Sequence, residues 1–552
     1  MRLTPIAALV AASTLAGCGG QGSPQADYFG TEHPFASEAI YFVMTDRFVD
    51  GDPSNNFPED SGWDRPLVWD NGDVANVGFQ GGDFKGILDH ADYITEMGFT
   101  SVWLTPIVEN PAEAFTGGTP ITREGFAMDR GKAAYHGYWG VNFYRLDKHW
   151  PSEGLDFAAF TQRMSDKGLK TVLDVVINHG SPAYSMPEPQ PLFGQLYDGE
   201  GQLVADHQNL PPEALRPEQE PLHRFFNTTP DLAQLADMNV ERPEVMDYFV
   251  DAYLQWLGQG AAAFRIDTVK HVPKAAWGEF SRRIRAEYPG LFMFGEVYSF
   301  DAEEIGQYTQ PENGGMSVLD FPMKAALANL FEQGGSYKSL EPVLYLEDGP
   351  YANPYELTTF YDNHDMPRMN ASDEGFIDAH NWLFTARGIP VIYYGSEMGF
   401  ERGKAEHAGN RNYFGVDNID AARSHRIRAE LSQIAQVRQA SVALQRGLQL
   451  NLEFTEHTAS FYRLYQRGDA AQSALVLLNK GDTPATMTAS EHLQAGQWRE
   501  ALTGEIRELS EGDQLTSLVP AHGVRVYLRD GALEGEALLA ELDRLMAARQ
   551  GR

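Results

Sequence analysis

The chain has 552 residues, which is too long for one ordinary domain, so we expect one large domain with smaller ones attached. Hydrophobic residues make up 43% of the sequence and aromatic residues 12%, enough for a sizeable core, which argues against disorder over most of the chain. The formal net charge of −34 argues against a nucleic-acid partner, because such a partner needs a basic face, and solubility is the simplest explanation of the acidity.

The N-terminus has the pattern of a bacterial export signal. A short positive start and an apolar stretch over residues 6–16 precede the sequence LAGC, which ends at Cys18. Because the sequence holds no second cysteine, Cys18 cannot form an intrachain disulfide. We predict a lipoprotein signal peptide over residues 1–17 and a lipid anchor on Cys18; an ordinary secretory signal is the alternative. The protein would then be exported to the cell envelope, either to the periplasmic side or to the outer-membrane surface.

The next segments predict a tether followed by a barrel. Residues 18–37 are rich in Gly, Gln, Ser and Pro, a composition typical of a flexible tether. After it, eight short β-rich apolar runs alternate with amphipathic stretches; the runs are residues 39–44, 99–104, 171–177, 262–267, 291–294, 317–319, 357–361 and 390–394. Eight β–α alternations predict a (β/α)8 TIM barrel over residues 38–450, an α/β fold.

Two further regions depart from the barrel pattern. The connection between the third and fourth runs is unusually long, so we predict an inserted subdomain B over residues 180–236 on the catalytic face. Alternating strand-like segments after the barrel predict a C-terminal all-β sandwich over residues 451–530. Residues 531–552 have helical periodicity and predict a C-terminal helix.

Carboxyl side chains lie at the ends of three predicted strands. Arg265 and Asp267 share one strand face because side chains alternate, and the guanidinium would keep Asp267 ionised. Glu296 ends an apolar strand one β–α unit later, where burial would raise its pKa, and Asp365 follows another strand. A retaining glycosidase needs such a pair of carboxyls. Taken singly, however, each acid is more often a solvated or capping residue, so these residues alone indicate only a barrel with carboxylates at strand ends.

The combination of motifs resembles the α-amylase family of glycoside hydrolases (family 13), and bacterial α-amylases and cyclodextrin glucanotransferase-like enzymes in particular. Four main signatures and three secondary ones occur in the family's order: DVVINH at 174–179, FRIDTVKH at 264–271, FGEV at 294–297, FYDNHD at 360–365, LADMN at 235–239, LDFP at 319–322 and GIPVIYYG at 388–395. The likeness covers roughly residues 38–528.

The resemblance implies a role for each catalytic residue. Asp267 would be the nucleophile, Glu296 the general acid/base, and Asp365 the residue that stabilises the transition state. Tyr138 would stack under the reacting sugar, with a core tyrosine as the alternative. The substrate-binding residues implied by the resemblance are Tyr138, His136, Trp139, His179, Arg265, Lys270 and His364.

Calcium is the cofactor that the sequence suggests. Residues 50–56 concentrate hard oxygen ligands in a turn, which suits Ca²⁺, although such a cluster alone is more often only a turn. By resemblance, one calcium site would use Asp50, Asp52, Asn55, Asn56, Gly81 and Asp83. A second would use Asn178, Asp237 and the carbonyl of His271, and would fasten the inserted subdomain to the barrel.

Three functions are compatible with the sequence. The first is hydrolysis of α-1,4-glucosidic bonds in starch, glycogen or malto-oligosaccharides by a monomer. The second is glucanotransfer, including cyclisation, on the same substrates. Ala233 argues against cyclisation because the cyclising relatives have an aromatic residue there, and the chain also ends before the extra β-domains of those relatives. The third is a non-catalytic glycan-binding protein, which the three retained carboxyl residues disfavour.

Overall fold

The computed structural model describes residues 26–550, so the predicted signal peptide and Cys18 lie outside the described residues. Over the described residues, eight parallel strands form a barrel: β1 (Ile40–Val43), β2 (Ser101–Leu104), β3 (Lys170–Val175), β4 (Ala263–Ile266), β5 (Phe292–Gly295), β6 (Ser317–Val318), β7 (Thr358–Thr359) and β8 (Ile389–Tyr393). The strand order is β6-β5-β4-β3-β2-β1-β8-β7, and a bridge between Leu319 and Thr358 joins the two ends. The predicted TIM barrel is confirmed.

The barrel strands are buried on both faces, which explains their continuous apolar sequences. Parallel strands need crossover connections, and helices supply them here. These helices are Phe84–Asp89 and Ala91–Glu96 after β1, Phe157–Asp166 after β2, Pro243–Gly258 after β3, Lys274–Glu287 after β4, Ala302–Gly306 after β5, Phe321–Phe331 after β6, Asp373–Thr385 after β7, and Gly415–Arg423, Arg426–Gln439 and Val442–Arg446 after β8. Polar residues that directly follow the strands are thereby collected at one end of the barrel.

The long connection between β3 and β4 forms the inserted subdomain. Its two ends meet in an antiparallel pair, His179–Pro182 against Leu235–Asp237, and a second pair joins Gln195–Tyr197 to Leu203–Asp206. The first pair sets Asp237 directly opposite His179. The insertion therefore leaves and rejoins the barrel beside the ends of its strands.

The C-terminal domain is all-β, as predicted. Its strands within the described residues are β9 (Leu448–Phe454), β10 (Thr458–Arg467), β11 (Ala470–Asn479), β12 (Ala485–Ala489), β13 (Gly496–Glu500), β14 (Ile506–Leu509), β15 (Leu515–Val519) and β16 (Gly523–Asp530). They form a six-stranded sheet, β9-β10-β11-β16-β13-β14, and a two-stranded sheet, β12-β15. A final helix, Glu536–Gln550, buries three leucines: Leu538, Leu542 and Leu545.

The predicted flexible tether over residues 18–37 is wrong for its described part, residues 26–37. Tyr28 exchanges backbone hydrogen bonds with Gln466 of β10, both at 2.7 Å, and its hydroxyl donates to Asp543 of the final helix at 2.9 Å. The ring of Phe35 stacks on Phe292 at a centroid distance of 4.6 Å. The polar composition suggested a solvated segment, but its aromatic residues bury apolar surface and fix it. Among the described residues no helix has both the length and the apolar composition to cross a bilayer.

Candidate active site

One buried arginine joins three carboxyl groups at the carboxyl ends of β3, β4 and β5. Arg265 lies in β4 and is fully buried. Its Nη1 is 2.7 Å from Asp267 Oδ1 and 2.9 Å from Asp174 Oδ1, and its Nη2 is 2.8 Å from Glu296 Oε2. Asp267 and Glu296 follow neighbouring strands directly, so a single guanidinium holds both carboxyls in one place.

Glu296 has an environment that favours its neutral form. Burial raises its pKa well above the ordinary value, against the attraction of Arg265, and Asp365 and Asp267 raise the pKa further. Its Oε1 is buried and has no hydrogen-bond partner among the described residues. A protonated carboxyl with a free oxygen can donate a proton to a bound ligand.

Asp365 is held on both carboxyl oxygens. His364 Nε2 lies 3.2 Å from its Oδ2, and Arg411 Nη2 lies 2.8 Å from its Oδ1. Arg411 also donates to the His364 carbonyl at 3.0 Å, so it fixes the backbone beside the acid. Burial raises the pKa of Asp365, and Arg411 counteracts that effect. The carboxylate is therefore oriented before any ligand binds.

Aromatic and imidazole rings surround these acids. The Tyr138 ring stacks on His364 at 5.2 Å, and its hydroxyl donates to Asp174 at 2.7 Å. Trp139 packs edge-on against His136 at 4.9 Å, and His179 Nε2 is 4.0 Å from Asp267 Oδ2. Burial lowers the pKa of His136, His179 and His364. These histidines are therefore neutral near pH 7 and can donate hydrogen bonds to sugar hydroxyls.

An open cleft of about 440 Å³ brings the predicted residues together. Of the predicted catalytic and substrate-binding residues, those in its wall are Asp267, Glu296, Asp365, Tyr138, His136, Trp139, His179, Lys270 and His364. Arg265 lies beneath them, out of contact with the cleft. His271 and Ala233 also line the cleft. Two aromatic residues of the insertion, Phe225 and Phe226, do not take the place of Ala233 in the cleft wall: Phe226 is buried in the core and Phe225 is partly buried against it.

A second charged cluster, which the sequence did not indicate, lies in the cleft wall. Glu406 Oε1 lies 2.8 Å from Arg411 Nη1 and 2.7 Å from Lys132 Nζ, and Lys132 also contacts Asp129 at 2.8 Å. Burial opposes ionisation of Glu406, but Arg411 and Lys132 hold its pKa well below the ordinary value. These residues belong to no motif, and Lys132 and Glu406 are 274 positions apart, so the sequence offered no signal for the cluster.

The predicted calcium loop is a cradle of oxygen atoms. Asp50 Oδ1, Asn55 Oδ1 and Asn56 Oδ1 are buried without a hydrogen-bond partner among the described residues. A Cβ at Gly81 would lie 2.6 Å from Asn56 Oδ1, so only glycine fits there. Asp83 accepts the backbone N–H groups of Gly51 and Gly86 and begins the helix Phe84–Asp89, whereas Asp52 turns back to accept from Ser54. Three buried oxygens without donors in one turn fit a hard cation.

The second predicted metal group contains an additional acid. Asp231 Oδ1 is 3.0 Å from His271 Nδ1, and its Oδ2 is 3.4 Å from Asn178 Nδ2. Asp237 accepts from Asn227 at 2.9 Å, and burial raises its pKa to about 6. The negative charge of Asp231 raises it further, so a cation between the two carboxylates would relieve their repulsion. No group of three or more His, Cys, Asp and Glu side chains suited to a metal occurs within residues 26–550, so a cation at either predicted site would also need amide or backbone oxygens as ligands.

Most of the barrel sequence matches one known protein family. Residues 42–189 and 219–440 match the sequence profile of the α-amylase catalytic domain. The chain belongs to the α-amylase family. The gap in the match, residues 190–218, lies inside the inserted subdomain. Between residues 42 and 440, this α-amylase family member therefore departs from the family profile only within the inserted subdomain.

Relatives of this family member include both hydrolases and transferases. It is 30% identical over 552 residues to an α-amylase of Streptomyces lividans (84% of this chain, 58% of that protein) and 28% identical over 516 residues to a cyclomaltodextrin glucanotransferase of Bacillus licheniformis (89% and 66%). A solved cyclomaltodextrin glucanotransferase with a three-domain ABC distribution has a TM-score of 0.72 and 28% identity, covering 90% of this chain and 99% of that one. The chain spans between about a third and two thirds of the length of the curated relatives it matches. Because the match covers 99% of a three-domain glucanotransferase, chain length does not separate the two activities.

Proposed function

We propose that this protein is a retaining glycoside hydrolase that cleaves α-1,4-glucosidic bonds in starch, glycogen or malto-oligosaccharides. The observation that carries the proposal is the contact of Arg265 with both Asp267 and Glu296 inside an open cleft. Both carboxyls contact this cation, but burial raises the pKa of Glu296 well above its ordinary value, so Glu296 can hold the proton that the acid/base residue of a double displacement needs.

In the proposed reaction, Asp267 attacks the anomeric carbon while Glu296 gives its proton to the departing glycosidic oxygen. The covalent glycosyl-enzyme is then hydrolysed when Glu296 takes a proton from water and the water oxygen replaces Asp267 on the anomeric carbon. Asp365, already oriented by Arg411, accepts hydrogen bonds from hydroxyls of the reacting sugar. Tyr138 offers its ring face to the same sugar.

The stereochemistry of the first product tests this mechanism. Proton NMR of a fresh malto-oligosaccharide digest should show the α-anomer first, with the β-anomer rising later by mutarotation. Initial release of the β-anomer would contradict double displacement. Failure of the purified protein to cleave any α-1,4-glucan would contradict the function itself.

Glucanotransfer is the second candidate, because relatives named cyclomaltodextrin glucanotransferase match most of the chain. Against it, Ala233 lines the cleft where a cyclising enzyme would need an apolar surface around which a glucan could curl. Digestion of amylose followed by chromatography should give linear products from the wild type. Ala233→Tyr should raise the ratio of transfer to hydrolysis; cyclodextrins as the main early product of the wild type would favour transferase activity instead.

Calcium is the proposed cofactor at both oxygen-rich groups. Asp50, Asn55 and Asn56 would hold one ion, with Asp52, Gly81 and Asp83 shaping the turn around it. Asn178, Asp237 and the His271 carbonyl would hold the other, with Asp231 as an additional neighbour. Neither ion takes part in the chemistry: bound calcium would fix the insertion and the first barrel loop in place.

The proposed location is the cell envelope, with the protein held as a monomer by lipid on Cys18. The support is the sequence pattern that ends at Cys18. Cys18→Ser should release the protein from the membrane fraction, because the variant lacks the thiol to which the proposed lipid anchor is attached. Equal retention of the variant and the wild type in the membrane pellet would exclude Cys18 as the anchor.

A further inference from the structure

Three loops at the edge of the cleft are fastened to one another by polar contacts. The first loop carries Trp69 and Asp73, the second Arg123, and the third Lys404 and His407. Asp73 is buried, accepts from Arg123 Nε at 2.6 Å and also contacts Lys404 Nζ. Trp69 Nε1 donates to the His407 carbonyl at 2.6 Å. We call this assembly the three-loop rim.

The three-loop rim is connected to the catalytic centre. Lys132, just after the second loop, contacts Glu406 of the third loop at 2.7 Å. Glu406 contacts Arg411, which in turn holds Asp365 at 2.8 Å. The rim is therefore joined to Asp365 by a continuous chain of charged contacts, which fixes the second and third loops relative to this acid.

Phe126, on the second loop, is presented to solvent by this rim. Its side chain is 65% exposed, yet it lines the same cleft as Asp267 and Glu296. The next residue, Ala127, has a φ of +53°, a conformation that L-residues rarely adopt. An exposed phenyl ring is unfavourable in water, and a loop fixed by Asp73 has little freedom to fold it away.

We propose that Phe126 binds a glucosyl unit remote from the cleaved bond by stacking its ring on the sugar. The occupant is an α-glucan chain because Phe126 shares its cleft with the catalytic acids, so the inference rests on the proposed function. One face of a glucopyranose presents C–H groups, which a flat ring covers well, whereas the hydroxyls point outward to water. The residue therefore sets a preference for chains long enough to reach it.

Steady-state kinetics on two chain lengths test this assignment. Phe126→Ala should raise KM about 2- to 10-fold for maltoheptaose, the loss of one aromatic stacking contact. It should change kcat and KM little for the shortest malto-oligosaccharide that the wild type cleaves, and Phe126→Trp should preserve the long-chain KM. Asp73→Asn, which loosens the rim, should also weaken binding of the long substrate selectively.

Val68 provides the matched control, since it is 72% exposed on the first loop and does not line the cleft. Val68→Ala should leave both substrates unaffected. An unchanged maltoheptaose KM in Phe126→Ala, or an equal loss on both substrates, would overturn the inference while leaving the proposed function in place. A wild-type protein that cleaves neither substrate would overturn both.

Discussion

Arg265 contacts two carboxyls of the same cleft, but the surroundings of these carboxyls differ. Asp267 Oδ1 lies 2.7 Å from Arg265 Nη1. Glu296 has two negatively charged neighbours, Asp365 and Asp267, and both raise its pKa. The burial of Glu296 outweighs the attraction of the guanidinium, so the pKa of Glu296 is raised. Two neighbouring carboxyls that share one arginine thus have different surroundings, as the proposed roles of nucleophile and proton donor require.

Replacement of the nucleophile gives the first prediction. Asp267→Asn keeps the size of the side chain but removes the attacking carboxylate, so we expect kcat on starch to fall roughly 10³-fold or more. The melting temperature should stay close to that of the wild type, which separates a catalytic loss from unfolding. Near-normal hydrolysis by the purified variant would remove Asp267 from the mechanism.

The second prediction concerns the pH profile. The negative charge of Asp365 raises the pKa of Glu296, so Asp365→Asn should lower that pKa. Glu296 must be protonated to act as an acid, and the basic limb of kcat/KM reports its loss of a proton. We therefore expect the basic limb of the residual activity to move to lower pH in Asp365→Asn. A basic limb that stays in place or moves to higher pH would mean that Glu296 does not control it.

The sequence pattern alone placed the acids that directly follow barrel strands, and it missed the charged residues that meet through distant loops. Asp267 and Glu296 stand directly after apolar runs, so local pattern alone places them at one end of the barrel. Glu406 and Lys132 meet only because two distant loops fold over the same cleft, 274 positions apart. Asp231 likewise joins the group around Asn178 through the path of the insertion. Contacts of this kind depend on loop conformation, which no periodicity encodes.

The barrel strands were predictable from the sequence because they are buried on both faces. Such strands are continuous apolar runs, and all eight runs became strands with no end shifted by more than two residues. The segment at residues 26–37 was not predictable from composition. Its few aromatic residues, Tyr28 and Phe35 among them, fix it by long-range packing that polar neighbours conceal.

The oxygen-rich loop at residues 50–56 gives the third prediction. A cation that binds only the native state stabilises it by mass action, so excess chelator should lower the melting temperature. Asp50→Ala removes one of the three partnerless oxygens and should abolish the part of this shift that the first site supplies. Differential scanning fluorimetry with and without chelator measures both effects.

Asp237→Ala serves as the comparison variant, because it removes the second proposed site and leaves the first intact. If both groups hold calcium, each single variant should retain part of the chelator effect and the double variant none. An unchanged wild-type melting temperature in excess chelator, together with a calcium-free metal analysis, would exclude calcium from both groups.

The barrel and the C-terminal domain are held together by polar contacts, of which those of Arg463 are buried. Arg463 of β10 donates to the carbonyls of Thr385 and Ala386, at the end of a barrel helix, at 2.9 and 2.6 Å. His522 lies between the domains: its Nδ1 is 2.8 Å from Asp378 on that same helix, and its Nε2 is 2.9 Å from Asp482. The two domains therefore share charged groups as well as apolar surface.

The last prediction follows from the charge of His522. Its two carboxylate partners raise its pKa to about 9, from 6.5 in an unfolded chain. A pKa raised on folding gives a stabilisation that is fully present below about pH 6.5 and is lost as the pH rises through about 9. The free energy of unfolding of His522→Gln should therefore lie below that of the wild type at pH 6 and approach it by pH 10, as measured by urea denaturation. His457→Gln, an exposed histidine on the same domain, is the control and should show no such trend. A deficit in His522→Gln that is constant from pH 6 to pH 10 would mean that His522 joins the domains by packing, without a contribution from its charge.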